Sequence, residues 1–310
     1  MTRTYFKAII FFIILIILLF LFKYDFAQAP SDIMTVNKDE SLLATIKEKS
    51  QEYQEDPQDA YIDDVWKKTP GRNGRKVNVM KSYEKMVPKR QFDSSMIVFD
   101  SISPKVSLHD LPASPIYRGH PEKDMVALLI NVSWGSEHLP AMLKTLKEHN
   151  TKATFFIEGQ WAMENKGTVK MIAEQGHLIG NHAFNHPDMA KMTDKQIKEQ
   201  ITKTNDILEA IIGESPQWFA PPSGSYNDAV VRIADEEEME TILWTVDTID
   251  WQNPSVSVMM DRVMNKVHPG ATVLMHPTPV VAQGLDRLIT EINQKEYRLH
   301  TIEQLLKETR

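Results

Sequence analysis

The hydrophobic and polar positions fall into three textures along the chain. The first is an unbroken apolar run from Ala8 to Phe22. As a helix those fifteen residues span about 22 Å, short of a hydrocarbon core of about 30 Å. Tyr5 and Phe6 lengthen the run, and Lys7 and Lys23 can snorkel at its ends. Arg3 and Lys7 precede it, so the positive charge stays inside and the rest of the chain is exported. Ala27-Gln28-Ala29 has the small-x-small form of a cleavage site, but Pro30 follows and Lys23 and Asp25 crowd the approach. The reading leans to an uncleaved anchor over 1–26. The body is then membrane-anchored and extracytoplasmic, or secreted if the segment is cut.

The second texture is polar. Residues 27–60 are rich in Glu, Gln, Asp and Lys, with one helical patch at Leu42–Ile46, and read as a linker. From 61 to 120 the pattern predicts a small α+β module. Ile62, Val65 and Trp66 are spaced like a helix face, and PGRNG at 70–74 is a turn. Val77–Val79, Ile97–Phe99 and Val106–Leu108 read as short strands, and Ser82–Met86 as a helical piece. Nothing in this module has catalytic spacing.

The third texture, over 121–310, is regular. MVALLINV at 125–132 is continuously apolar, as in a strand buried on both faces. Leu139, Met142, Leu143 and Leu146 follow at helical spacing. ATFFIEG, HLIGNH, QWFAPP, TILWTV and ATVLMH are further strands. Between them lie helical stretches at 168–175, 193–212, 227–236, 256–267 and 284–295, and Thr193 with Gln196 makes a capping box. About seven alternations predict an α/β fold, a distorted, seven-stranded (β/α) barrel of TIM-like form, preceded by a membrane helix and the small module. In such a barrel chemistry sits at the C-terminal strand ends. His182, Pro221-Pro222, Asp247 and His276 all fall there.

Charge and composition narrow the class. The net charge is −7, so no basic face invites nucleic acid. There is no cysteine, which excludes disulfides, thiol nucleophiles and cysteine-held zinc. Any metal must be held by His, Asp, Glu or water. His182 and His186, four apart, would share a face on one helical turn and could reach one ion. A surface pair is the bland alternative. Asp247 and Asp250 follow the TILWTV strand, where a carboxylate could orient a histidine or could be a turn or helix-capping aspartate. His276, partnered by a carboxylate, is a fair general acid, or else a core histidine.

Taken together, these residues resemble the polysaccharide deacetylase family, also called the NodB homology domain or carbohydrate esterase family 4. HAFNH matches its His-x3-His, APPSGSYN its Arg-Pro-Pro-Tyr-Gly step, DTIDW its Asp-Trp step and VLMH its final Leu-x-His, in order over some 180 residues. The N-terminal segment, the middle module and INVSWG resemble a sporulation-associated branch of endospore-forming bacteria. The resemblance implies N-acetyl removal from a cell-wall glycan such as peptidoglycan, with zinc or another divalent metal. His182 and His186 would be metal ligands, His276 the acid and Asp250 its partner. Trp134, Trp251, Tyr226 and Trp161 could be stacking platforms for sugar rings, or core.

The departures are concentrated. The family's Thr-Phe-Asp-Asp-Gly becomes Asn131-Val132-Ser133-Trp134-Gly135. Ser133 stands for the base and Trp134 for the metal-binding aspartate, or, with a slipped alignment, Asn131 for the base. Ala220 replaces the arginine that holds the base, and Ser223 its aromatic partner. The metal is therefore expected to be weak or absent. Losing a general base costs about 10²–10⁴ in rate. Glu137 and Asp124 are the nearest acids in sequence. The two readings are a deacetylase-like protein with an altered first motif, and an inactive glycan-binding or scaffold relative.

Overall fold

The computed structural model of the chain describes residues 40–310. The apolar run at 8–22 and the anchor expectation resting on it lie outside the described residues. No helix among the described residues is long and apolar enough to cross a membrane. The described chain forms two compact units, 40–56 with 74–102, and 57–73 with 103–310.

In the first unit, Gly74–Val77 pairs antiparallel with Phe99–Ile102. The helix Val79–Met86 is started by Asn78, whose side chain accepts from the Lys81 amide at 3.0 Å. Residues 40–49 are helical and bury Leu42 and Ile46 against Met86, with Tyr83, Phe92 and Ile97 around them. The helical patch expected at Leu42–Ile46 therefore forms, and it packs into a core.

Two local expectations are corrected. Ile62, Val65 and Trp66 do not line a helix; Tyr61–Asp63 and Lys67–Thr69 form an antiparallel hairpin. Asp63 Oδ1 accepts from the amides of Val65 and Trp66, both at 2.8 Å, and this aspartate turn reverses the chain before a helix can form. Val106–Leu108 is not a strand. Ser107 and Asp110 exchange capping bonds around one 3-10 turn, Leu108–Asp110.

The second unit carries the long alternation. Its strands are β1 (Met125–Val132), β2 (Thr154–Ile157), β3 (Leu178–Asn181), β4 (Trp218–Phe219), β5 (Glu240–Thr241), β6 (Val246–Asp247), β7 (Thr272–Met275) and β8 (Arg298–His300). All pair in parallel, in the order β6-β7-β1-β2-β3-β4-β5, with β8 joining the early residues of β1. Helices α1 (Leu139–Glu148), α2 (Gly159–Glu164), α3 (Lys166–Glu174), α4 (Asp194–Ile212), α5 (Asp228–Glu236), α6 (Val256–Met264), α7 (Pro279–Gln294) and α8 (Ile302–Leu306) intervene. Seven of the eight strands run in one path, and the sheet is a curled, incomplete barrel, in keeping with the expected fold class. TILWTV is two short strands rather than one. It crosses from one end of the sheet order to the other, and Leu243 pairs on the way with the carbonyl of Ile116 at 2.8 Å.

Strand parity sorts the core. Val126, Leu128, Ile130 and Val132 face the helices with Phe155, Ile157, Ile179, Val273 and Met275. Met125, Ala127 and Leu129 face inward with Phe156, Trp218 and Ala220. Alternation along each strand then directs Asn131, Ser133, Glu158, His182, Ala220 and His276 to the inner side of the C-terminal mouth. The predicted capping box of α4 is present: Thr193 and Gln196 bond reciprocally, and Gly213 closes the helix in the left-handed region.

Candidate functional site at the C-terminal mouth

The two histidines of HAFNH come together, but not on a helical turn. Residues 182–187 form a loop in which Ala183 and His186 both have positive φ, 58° and 57°. Side chains of β3 and α4 hold this strained loop. Asn181 donates to the Ile201 carbonyl at 2.9 Å and to Asn205 Oδ1 at 2.7 Å, and accepts from the Ala183 amide at 2.7 Å. Gln200 Oε1 accepts from the amides of Phe184 and Asn185. The helix-face argument reached the right juxtaposition by the wrong geometry. The imidazoles lie edge to face, with centroids 5.2 Å apart.

His182 is fully buried. Its Nδ1–H donates to the Ala220 carbonyl at 2.7 Å, which leaves Nε2 as a lone pair facing the mouth. Burial, then the neighbouring His186, pushes its pKa down to about 3, so the ring is neutral at ordinary pH. The pKa of His186 is lowered too, first by partial desolvation.

Opposite this pair stands the His276–Asp250 dyad. Asp250 is 1% exposed and sits in a 3-10 turn after β6. It accepts four hydrogen bonds: from His276 Nδ1 at 2.9 Å, the His276 amide at 3.0 Å, Thr248 Oγ1 at 2.9 Å and Thr278 Oγ1 at 2.9 Å. Desolvation would raise its pKa. The bond and charge of His276, then the two threonines, outweigh that, and the net shift is downward. The dyad fixes His276 with Nε2 outward. Asp247 is the turn aspartate of the two, accepting from the Ile249 amide at 2.8 Å.

Trp134 stacks nearly parallel to the His276 ring, with centroids 6.0 Å apart and planes 10° apart. It is 46% exposed, and Trp251 is 57% exposed. Gly135 holds this arrangement. Its φ is +77°, and a Cβ there would sit 2.1 Å from the Pro277 carbonyl oxygen. The other two aromatics are less available. The Tyr226 hydroxyl is bonded to that of Tyr117 at 2.9 Å, and Trp161 is buried, donating to Ser136 Oγ at 3.0 Å.

The positions of the two missing carboxylates and of the missing arginine hold Ser133, Trp134 and Ala220. Glu137 faces solvent beside His138, and Asp124 precedes β1 at the opposite end of the barrel. Sequence reasoning missed one acid, Glu158, which ends β2 and is 8% exposed. Burial raises its pKa, partly countered by the Ser133 hydroxyl, which lies beside it without good hydrogen-bond geometry. Strand parity applied to ATFFIEG would have found it, since its inward neighbours two residues back are Phe156 and Thr154. The site supplies two neutral nitrogen donors, and among the described residues no three His, Cys, Asp or Glu side chains converge as a metal-holding group. The donor set does not fit a catalytic zinc, which takes three protein ligands.

Comparison with known proteins places this geometry. A polysaccharide deacetylase family model matches residues 118–242. The chain is 50% identical over 277 residues to the uncharacterized protein YlxY of Bacillus subtilis, covering 89% of this chain and 86% of that one. It is 35% identical over 191 residues to a peptidoglycan-N-acetylglucosamine deacetylase of Bacillus cereus, covering 60% and 70%. A solved structure of a CE4 family pseudoenzyme from Bacillus anthracis is similar at a TM-score of 0.83 and 48% identity, covering 86% of this chain and 95% of that one. A mutant of that pseudoenzyme, described as having restored enzymatic activity, is equally similar, at 0.83 and 47%, covering 86% and 98%.

Proposed function

Because the chain belongs to the polysaccharide deacetylase family, we propose that it binds cell-wall glycan without deacetylating it at the family's rate. One observation carries this reading. The space before His182 and His186 is faced by a hydroxyl, an indole and a methyl, Ser133, Trp134 and Ala220, where the family pattern has two carboxylates and a guanidinium. None of those three side chains takes a proton from water. The similarity to a CE4 pseudoenzyme supports the same conclusion. The glycan class follows from relatives named for peptidoglycan deacetylation. Trp134 and Trp251, exposed at the mouth, are the platforms we assign to sugar rings, because aromatic faces bury apolar area at little entropic cost. The apolar run at 8–22 would tether the protein outside the membrane, and a place in spore-wall assembly rests on the resemblance of the N-terminal half alone.

A specific observation favours residual hydrolysis as the second reading: the His276–Asp250 dyad is intact and oriented. The two are separated by amine release from N-acetylglucosamine oligomers and peptidoglycan, using the full chain with His276→Ala as baseline. We expect no release above that baseline, while the oligomers still bind. The triple change Ser133→Asp, Trp134→Asp, Ala220→Arg is expected to create release and to raise bound zinc. Turnover by the native chain that His276→Ala abolishes would overturn the non-catalytic reading.

A further inference from the structure

Glu158 has no place in the family pattern, yet it sits at the centre of the mouth. The ladders pair Val132 with Ile157 and Ile157 with Asn181. One step further along each strand lie Ser133, Glu158 and His182, side by side on the inner face. Phe156, two residues before Glu158, confirms the parity. Glu158 is 8% exposed, and among the described residues no lysine, arginine or histidine forms an ion pair with it. It caps no helix either: it precedes α2, but its side chain makes no capping bond. A buried carboxylate without a cation is costly to ionise, and a cation brought beside it would relieve that cost.

Its other neighbours are mainly acceptors, with the Ser133 hydroxyl the donor beside it. His182 presents Nε2 as an acceptor, because its proton is committed to the Ala220 carbonyl. Asn131, one layer deeper on the same face, is 4% exposed, and its Oδ1 has no hydrogen-bond partner. The mouth therefore offers a carboxylate and several acceptors, and it suits a ligand that is cationic and rich in donors. An acetamido group fits poorly. It has one N–H for several acceptors, and it carries no charge to pair with the carboxylate. A primary ammonium has three donors and the complementary charge.

We propose that this mouth selects glycan carrying free amino groups over N-acetylated glycan, with Glu158 as the partner of a glucosamine ammonium. The chain would then recognise what the deacetylating relatives produce. This rests on the glycan-binding reading above, and the test separates the two.

The full chain is titrated calorimetrically with the trimer of glucosamine and, separately, with the trimer of N-acetylglucosamine. The wild type is expected to bind the amine trimer about tenfold tighter, the equivalent of about 1.4 kcal/mol. Glu158→Gln, nearly isosteric, is expected to erase that preference while leaving the acetylated trimer within about twofold. Glu158→Asp should keep part of the preference. If both trimers bind equally to the wild type, or the preference survives Glu158→Gln, the amine assignment fails and glycan binding stands. If neither trimer binds, both readings fail. If Glu158→Gln abolishes binding of zinc alone and leaves the trimers unaffected, the cation of this mouth is a metal, and the proposal is overturned.

Discussion

Replacing Asp250 with Asn tests whether the dyad is a buried anchor or a surface ornament. The carboxylate takes four hydrogen bonds and is 1% exposed. An amide of the same shape turns one acceptor atom into a donor. At least one of the four donors then loses its partner, and the charge that complements His276 disappears. A hydrogen bond to a charged group contributes about 1.5–3 kcal/mol, and a buried donor left unsatisfied costs about 1–3 kcal/mol more. We expect a loss of about 3–5 kcal/mol, in the range for breaking a buried pair. Tryptophan fluorescence in a urea series reads this cleanly, because all six tryptophans lie within 57–73 and 103–310, the barrel unit. The sign of the pH dependence follows from the depressed pKa of Asp250. The unfolded carboxylate titrates near about 3.9. The stabilisation is fully present above that value and is lost as pH falls through the lower folded value. The gap between wild type and Asp250→Asn should therefore be constant from pH 5 to 7 and narrow below about pH 4. A loss under about 1 kcal/mol at neutral pH would refute the argument, because it would mean water replaces the missing bonds.

Two further outcomes follow. Gly135→Ala should cost about 2 kcal/mol or more, since it combines a positive φ with a Cβ 2.1 Å from the Pro277 carbonyl oxygen; an unchanged melting temperature would show that the 133–136 loop is free to move. Burial holds His177 neutral, its pKa down to about 4 and its Nδ1 accepting from the Ala153 amide at 3.2 Å. The unfolded chain binds that proton from about pH 6.5 downward, so stability should fall between pH 6.5 and 4, and His177→Phe should make the dependence of stability on pH shallower there.

Much of the fold was legible because the barrel obeys local rules. A strand buried on both faces reads as continuous apolar sequence, and MVALLINV is buried throughout. The long helix announced itself through Thr193 and Gln196, whose capping bonds involve only near neighbours. The hairpin at 61–69 was misread because three apolar residues mimicked a helix face, while one aspartate turn decided the backbone. At the mouth, the sequence pointed to His182, His186, Asp250 and His276, and the structure pairs the first with the second and the third with the fourth. The geometry of the histidine pair was not legible, since two positive-φ residues stand where a helical turn was assumed.

The order of apolar and polar residues thus determined the parallel α/β architecture, the strand ends after which His182 and His276 stand, and the absence of a carboxylate in the first motif, because each depends on neighbours in sequence. Only the tertiary structure decided which side chains meet. Glu158 gained meaning when strand register set it between Ser133 and His182, and Trp134 when it stacked on His276 from more than a hundred residues away. Those contacts are fixed by pairing and curvature across the sheet, which no window of sequence contains.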